Sequence, residues 1–226
     1  MEFVVLSDIS KIYRMGENRL AALKSINLEF PKGEFVSILG QSGSGKSTLL
    51  NIIGGLDKPT EGRVSVAGFD ISTLNDKQMS HFRNHTVGFV FQNFNLQSTL
   101  TALENVTLPL IYSGIRRSER LEIAKLALKR VGLENRMNHK PGELSGGQCQ
   151  RVCIARAIVM KSDIILADEP TGNLDRNSGE MIMNLLEELN ASGYTIIMVT
   201  HNPEQAQRTN RIVEMVDGAI VNDRTA

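Results

Sequence analysis

Two stretches of the chain carry residue types that do chemistry on phosphates. Gly40-Gln41-Ser42-Gly43-Ser44-Gly45-Lys46-Ser47 has the spacing G-x-x-x-x-G-K-[ST], with Thr48 directly after it. Glycines there let the main chain wrap closely round an anion and aim successive N–H groups at it. Lys46 is long enough to reach the outer phosphates, and the Ser47 hydroxyl suits Mg²⁺. The second stretch is Asp163-Ile164-Ile165-Leu166-Ala167-Asp168-Glu169, an apolar run ending in two acids. A strand buried in a parallel sheet has no use for carboxylates except at its C-terminal edge, where ligands bind. Asp168 is expected to hold Mg²⁺, directly or through water. Glu169, one residue on, points elsewhere because strand side chains alternate, and it can act as general base on an attacking water.

These residues need elements to position them. Phe35 to Leu39 reads as the strand before the glycine loop, and Lys46 to Leu56 as the helix after it, with Leu49, Leu50, Ile52 and Ile53 on one face. That is the strand–loop–helix setting in which such a loop binds a nucleotide, and the helix start adds favourable positive charge. Further strands are predicted at Phe3 to Leu6 (within a Met1 to Ser10 run), Ile26 to Phe30, Val64 to Val66, Val87 to Phe91, Ile164 to Ala167, Thr195 to Val199 and Arg211 to Met215. Between Leu96 and Met160 the pattern is mostly helical. Arg117 to Val131 has Leu121, Ala124, Leu128 and Val131 on one face, and Ser145 to Met160 is a second long helix. Ser178 to Leu189 is another. The alternation implies an α/β fold: a parallel core with a helical insertion.

Composition narrows the function classes. The 226 residues are 41% hydrophobic and 22% charged, enough for a sizeable core. Lys+Arg and Asp+Glu both number 25, so there is no basic surplus of the kind a nucleic-acid binder or a polybasic membrane anchor shows. No apolar run approaches the roughly 20 residues that span a bilayer. A strand at the start leaves no room for a signal peptide, so a cytoplasmic location is expected, with any membrane role through a partner. Neither an internal repeat nor a linker divides the chain; one domain over 1–226 is expected.

Many enzyme classes use such a phosphate loop. Leu144-Ser145-Gly146-Gly147-Gln148 distinguishes among them, and with it the chain resembles the ATP-binding cassette (ABC) ATPases over essentially its whole length. The resemblance implies the P-loop NTPase fold of that family. This has a mixed β core (1–92 and 161–226), a helical subdomain carrying the signature (93–160) and an antiparallel β region near the N-terminus. It implies ATP and Mg²⁺ as cofactors, with Tyr13 stacking on adenine and Gln92 sensing metal and attacking water. Ser145, Gly146, Gly147 and Gln148 are implied to form the signature loop. Asp175, in Gly172-Asn173-Leu174-Asp175, is implied to lie on the interface-crossing loop, and His201 to contact the γ-phosphate. Ser145 would cap the following helix, leaving the Gly146 and Gly147 N–H groups open to an anion. Two copies are then implied to meet head to tail, each signature sealing the other's ATP.

Gly88-Phe89-Val90-Phe91-Gln92, Leu100 to Val106, Leu108-Pro109-Leu110 and Ala167 to Asp175 are similar to the lipoprotein-release and macrolide-efflux (LolD/MacB-type) branch. That likeness implies a separate transmembrane permease, with a periplasmic or extracellular adaptor as a further partner, no nucleic acid, and a peripheral place on the inner face of the membrane. The residues from Gln92 to Leu110 would form the groove for a permease helix; Phe94, Leu96 and Leu103 fit either groove lining or lobe core. The alternative role is regulation of a cell-envelope process through a membrane partner without transport.

The sequence departs from the family at Asn202, where Asp is usual and looser local order is expected, and at Cys149 and Cys153. Four apart on a helix, those thiols lie about 5–6 Å apart at Cβ, too far for a disulfide. They lack two further zinc ligands and read as packing or partly exposed residues, with a redox effect on the adjacent signature loop as the alternative. His81, His85 and His139 read as surface or polar-packing residues.

Overall fold

The computed structural model describes residues 2–16 and 18–226; Met1, at the start of the first expected strand, lies outside them. Two 14-residue strands, β1 (Glu2–Met15) and β2 (Asn18–Pro31), form a long antiparallel hairpin. Both run well past the short strands expected from the sequence. Their alternation is broken by register shifts between Leu6 and Ile9, Ile9 and Lys11, and Lys11 and Ile12. With β4 (Glu61–Val66) and β5 (Phe69–Asp70) they make a four-stranded sheet, in the order β2-β1-β4-β5.

A second sheet has six strands. Alongside β3 (Phe35–Leu39) it contains β6 (Val87–Phe91), β7 (Ile164–Asp168), β8 (Thr195–Thr200), β9 (Arg211–Val216) and β10 (Ala219–Thr225). The order is β10-β9-β3-β8-β7-β6, parallel except for the β10 edge. Both faces of its centre are covered, which is why β7 and β8 read as unbroken apolar runs. Ile164, Leu166, Ile197 and Val199 join α1 (Lys46–Ile53) and the four-stranded sheet in one core. Ile165, Ala167, Ile196 and Met198 face the other way, into a second core built with the helices.

Those helices are α3 (Ala102–Tyr112), α4 (Arg117–Arg130), α5 (Gly146–Ile158) and α6 (Arg176–Ala191). A polar helix, α2 (Asp76–His85), precedes β6 and buries only Met79 and Phe82. The short α7 (Pro203–Ala206) follows β8. Helix α1 stops three residues short of the expected Leu56 because Gly54-Gly55 ends it, Gly55 in the left-handed region. Helix α5 packs on β6 and α6 as well as on α3 and α4, so it ties the helical segment to the sheet. Leu96 and Leu103 pack against the second core, which assigns these two to the lobe interior.

Candidate functional site

The glycine loop joins the C-terminal end of β3 to α1, and the acids close β7, two strands away across β8. The parallel register therefore puts both motifs on one edge of the sheet. Gly45 sits at φ +98°, and a Cβ there would lie 2.5 Å from the Ala22 carbonyl oxygen, so no other residue fits. Lys46 is buried, and its ammonium donates to the Gln41 carbonyl at 2.7 Å, bracing the loop from within. Burial lowers the Lys46 pKa, while Glu169 and Asp168 act to keep its charge.

Ser47 Oγ donates to Asp168 Oδ1 at 2.9 Å, so the two residues expected at the metal already touch. Burial raises the Asp168 pKa and Glu169 pushes the same way, against the Ser47 hydrogen bond and Lys46. This is a hard oxygen pair beside a phosphate loop, which fits Mg²⁺. Among the described residues no group of three or more His, Cys, Asp or Glu could hold a metal alone. Phosphate oxygens and water would have to complete the shell, as is usual for Mg²⁺ at nucleotide sites.

Glu169 is the first residue beyond β7 and stands at φ +44°, a left-handed backbone that is uncommon for Glu. Its N–H donates to the Val199 carbonyl at 3.0 Å and its carbonyl accepts from the Gly172 N–H at 3.0 Å, which fixes that turn. His201 Nδ1 lies 3.1 Å from Glu169 Oε1. On the other side, a Cβ on Gly172 would sit 2.6 Å from Gln92 Nε2 and 3.3 Å from Glu169 Oε2. Gln92, Glu169 and His201 thus converge. Gln92 itself turns toward Asn173, with Nε2 donating to Oδ1 at 3.5 Å and no hydrogen bond to Ser47 or Asp168 among the described residues.

A cavity of about 530 Å³ joins Lys46, Ser47 and Glu169, while Asp168, Gln92 and His201 lie outside its lining. Tyr13 lines one part of it, Ser42, Gly43, Gly45, Lys46, Ser47 and Thr48 another, and Glu169 a third. Gly40 lies at the loop base, where a side chain would collide with the Met215 backbone and Ser44 Oγ.

The signature stands apart from that cavity, none of whose lining comes from Ser145 to Gln148. Ser145 caps α5: its hydroxyl accepts from the Gln148 N–H at 3.3 Å while Gln148 Oε1 accepts from the Ser145 N–H at 2.9 Å. A Cβ on Gly146 would approach Leu174, and one on Gly147 would press on Ser178 at 2.9 Å. The α5 start therefore abuts the loop at 172–175 and the first turn of α6. Asp175 caps α6, accepting from the Ser178 N–H at 3.0 Å, and lines a second cavity of about 440 Å³ with His201 and Glu169, the residue common to both cavities.

Asn202 Oδ1 accepts from the Glu204 N–H at 2.9 Å and caps α7, so the position keeps an N-cap acceptor. Cys149 and Cys153 are both buried, and burial pushes the Cys153 thiol up to about 12. The His81 and His85 rings stack 4.0 Å apart, and His139 Nε2 lies 3.3 Å from Arg136 Nη1.

Two residues escaped the sequence reading. Arg156 donates to the carbonyls of Asn95 at 2.6 Å and Phe94 at 3.0 Å, clamping a turn in which both residues have positive φ. Gln150, fully buried, donates to the Pro170 carbonyl at 2.8 Å and the Phe91 carbonyl at 3.3 Å. Both lie on α5 past Ser145 to Gln148, Gln150 buried and Arg156 half-buried, and polar residues within so apolar a helix were the available signal.

Comparison with known proteins agrees with this geometry. Residues 23–172 match the ABC transporter family model. The chain is 55% identical to the uncharacterized ABC transporter ATP-binding protein YknY of Bacillus subtilis, over 96% of this chain and 95% of the relative. It is 50% identical to the macrolide export ATP-binding/permease protein MacB of Aggregatibacter actinomycetemcomitans, over 99% of this chain but only 35% of that longer protein. The dimeric, post-hydrolysis ATP-binding cassette MJ0796 with ADP and Pi superposes with a TM-score of 0.92 at 49% identity, over 99% of this chain and 98% of that one. With its phosphate loop, acidic strand end and capped signature helix in one fold, the chain belongs to the ABC transporter family and is an ATP-binding, ATP-hydrolysing cassette.

Proposed function

We propose that this cassette powers a separate transmembrane permease of the MacB type by closing as a homodimer on ATP. The observation that carries the reading is the division of the site. Tyr13, the glycine loop and Glu169 line one cavity, while Ser145 to Gln148, at the capped start of α5, contribute nothing to its lining. A second copy, turned head to tail, would bring the missing half. The dimeric MJ0796 cassette supports the pairing, and the ATP-binding/permease composition of the MacB relatives supports the membrane partner and favours transport over the regulatory alternative. Residues 1–92 with 161–226 and the helical segment 93–160 would act as two lobes. The turn after Gln92 would meet the permease, from a peripheral position on the membrane. A periplasmic or extracellular adaptor belongs to the same proposal.

In this reading Tyr13 stacks on the base, and Gly40 to Thr48 with Lys46 hold the phosphates. Ser47, Asp168 and Gln92 would hold Mg²⁺, which when bound neutralises phosphate charge. Glu169 takes a proton from the attacking water, with His201 3.1 Å away orienting the carboxylate and reaching the γ-phosphate. Ser145, Gly146, Gly147, Gln148 and Asp175 act across the interface.

The test is Glu169→Gln. It should keep ATP affinity and lower turnover by about 10²–10⁴-fold, the usual range for a lost general base. Phosphate release at the wild-type rate would remove Glu169 from the role.

A further inference from the structure

Next to Tyr13, and outside the lining of the cavity, lies a small ionic cluster of Lys11 and Asp57. Asp57 stands in the loop after α1, its N–H donating to the Asn51 carbonyl at 3.2 Å. The Tyr13 hydroxyl donates to Asp57 Oδ2 at 2.7 Å. Lys11 Nζ donates to Asp57 Oδ1 at 2.6 Å and to the Lys58 carbonyl at 2.7 Å. The same ammonium lies 4.9 Å from the centre of the Tyr13 ring, within cation–π range. Neither Lys11 nor Asp57 lines the cavity that Tyr13 lines.

The arrangement settles the ring. A tyrosine turns about two side-chain bonds; a hydroxyl tied to a carboxylate removes that freedom before any ligand arrives. Freezing a side chain in advance spares its entropy cost on binding. Asp57 is anchored to the end of the same helix whose start holds the phosphate loop, so the aromatic plane and the phosphate loop are linked through one rigid element.

We propose that Asp57, with Lys11, is a positioning residue that locks the Tyr13 ring as the platform for the adenine base. This rests on the reading of Tyr13 as the base-stacking residue. The direction of the ionisation shifts agrees. Burial pushes the Asp57 carboxyl up, but Lys11, Tyr13 and the Lys58 N–H outweigh it and hold the net value below the ordinary aspartate range.

A base platform affects nucleotides and leaves bare phosphates alone, which separates this role from mere stapling of the hairpin. Binding of ATP and of inorganic tripolyphosphate would be measured by titration calorimetry on the wild type and on Asp57→Ala, Tyr13→Phe, their double variant and Tyr13→Ala. Asp57→Ala and Tyr13→Phe should each weaken ATP by roughly 3- to 10-fold, the worth of one freed side chain. The double variant should be no worse than either, and tripolyphosphate should bind as before. Should Asp57→Ala not fold, Tyr13→Phe, which removes only the hydroxyl, carries the same comparison. Equal weakening of ATP and tripolyphosphate, or unchanged ATP affinity in Asp57→Ala beside a weakened Tyr13→Ala, overturns the proposal while leaving the Tyr13 platform standing. Unchanged ATP affinity in Tyr13→Ala overturns the platform itself, and the proposal with it.

Discussion

At the residue scale the site depends on backbone conformations that few side chains tolerate. Gly45 holds φ +98° against the Ala22 carbonyl, and Glu169 holds φ +44° between two backbone hydrogen bonds. Gly45→Ala adds a Cβ in a forbidden region and should destabilise the fold by about 1–3 kcal/mol, read by urea denaturation, with loss of ATP binding. An alanine variant as stable as the wild type that binds ATP equally well would mean the loop relaxes freely. The glycine loop and the acids were legible in the sequence because their chemistry depends on spacing along the chain. Arg156 and Asp57 were not, since their partners lie 61 and 44 positions away and meet them only in the fold. For the cysteines the sequence left packing and partial exposure open; both are buried, and burial raises the Cys153 thiol.

Among the elements, α5 has the widest reach. Its start carries the signature cap, Gln150 grips the ends of β6 and β7, and Arg156 clamps the turn at Phe94-Asn95. Two consecutive non-glycine residues in the left-handed region cost on the order of 1–3 kcal/mol each. The charged hydrogen bonds from Arg156 offset part of that. Arg156→Ala removes the charged hydrogen bonds to both carbonyls, leaving Phe94 only the weak Cys153 thiol donor at 3.0 Å, and should cost about 2–3 kcal/mol in urea denaturation. It should also slow ATP turnover at saturation, because the turn that follows Gln92 loses its support; Arg156→Lys should recover part of both. If Arg156→Ala turned over ATP normally, the turn would not need the clamp. Strands buried on both faces, such as β7 and β8, were legible as apolar runs. The hairpin's outer half, β10 and α2 were not. Bulges interrupt the first, the edge strand β10 carries Asn222-Asp223-Arg224 toward solvent, and α2 buries too little to make a stripe. The Asn75–Gln78 capping box was the overlooked sign of α2.

At the scale of the whole molecule, the glycine loop and Glu169 line one cavity, and the capped start of α5 contributes nothing to that lining. The fold class followed from the order of strands, helices and motifs along the chain, whereas the shared second core between helices and sheet required the structure. The central claim is that ATP joins two copies, and the most direct measurement is light scattering on a sizing column, with Glu169→Gln to stop turnover and saturating ATP and Mg²⁺ present. The account predicts about twice the monomer mass with ATP, monomer without it, and monomer with ATP when Ser145→Arg is added to the same chain. A Glu169→Gln protein that stays monomeric with ATP, even with its permease supplied, or a Ser145→Arg chain that dimerises as readily, would contradict it.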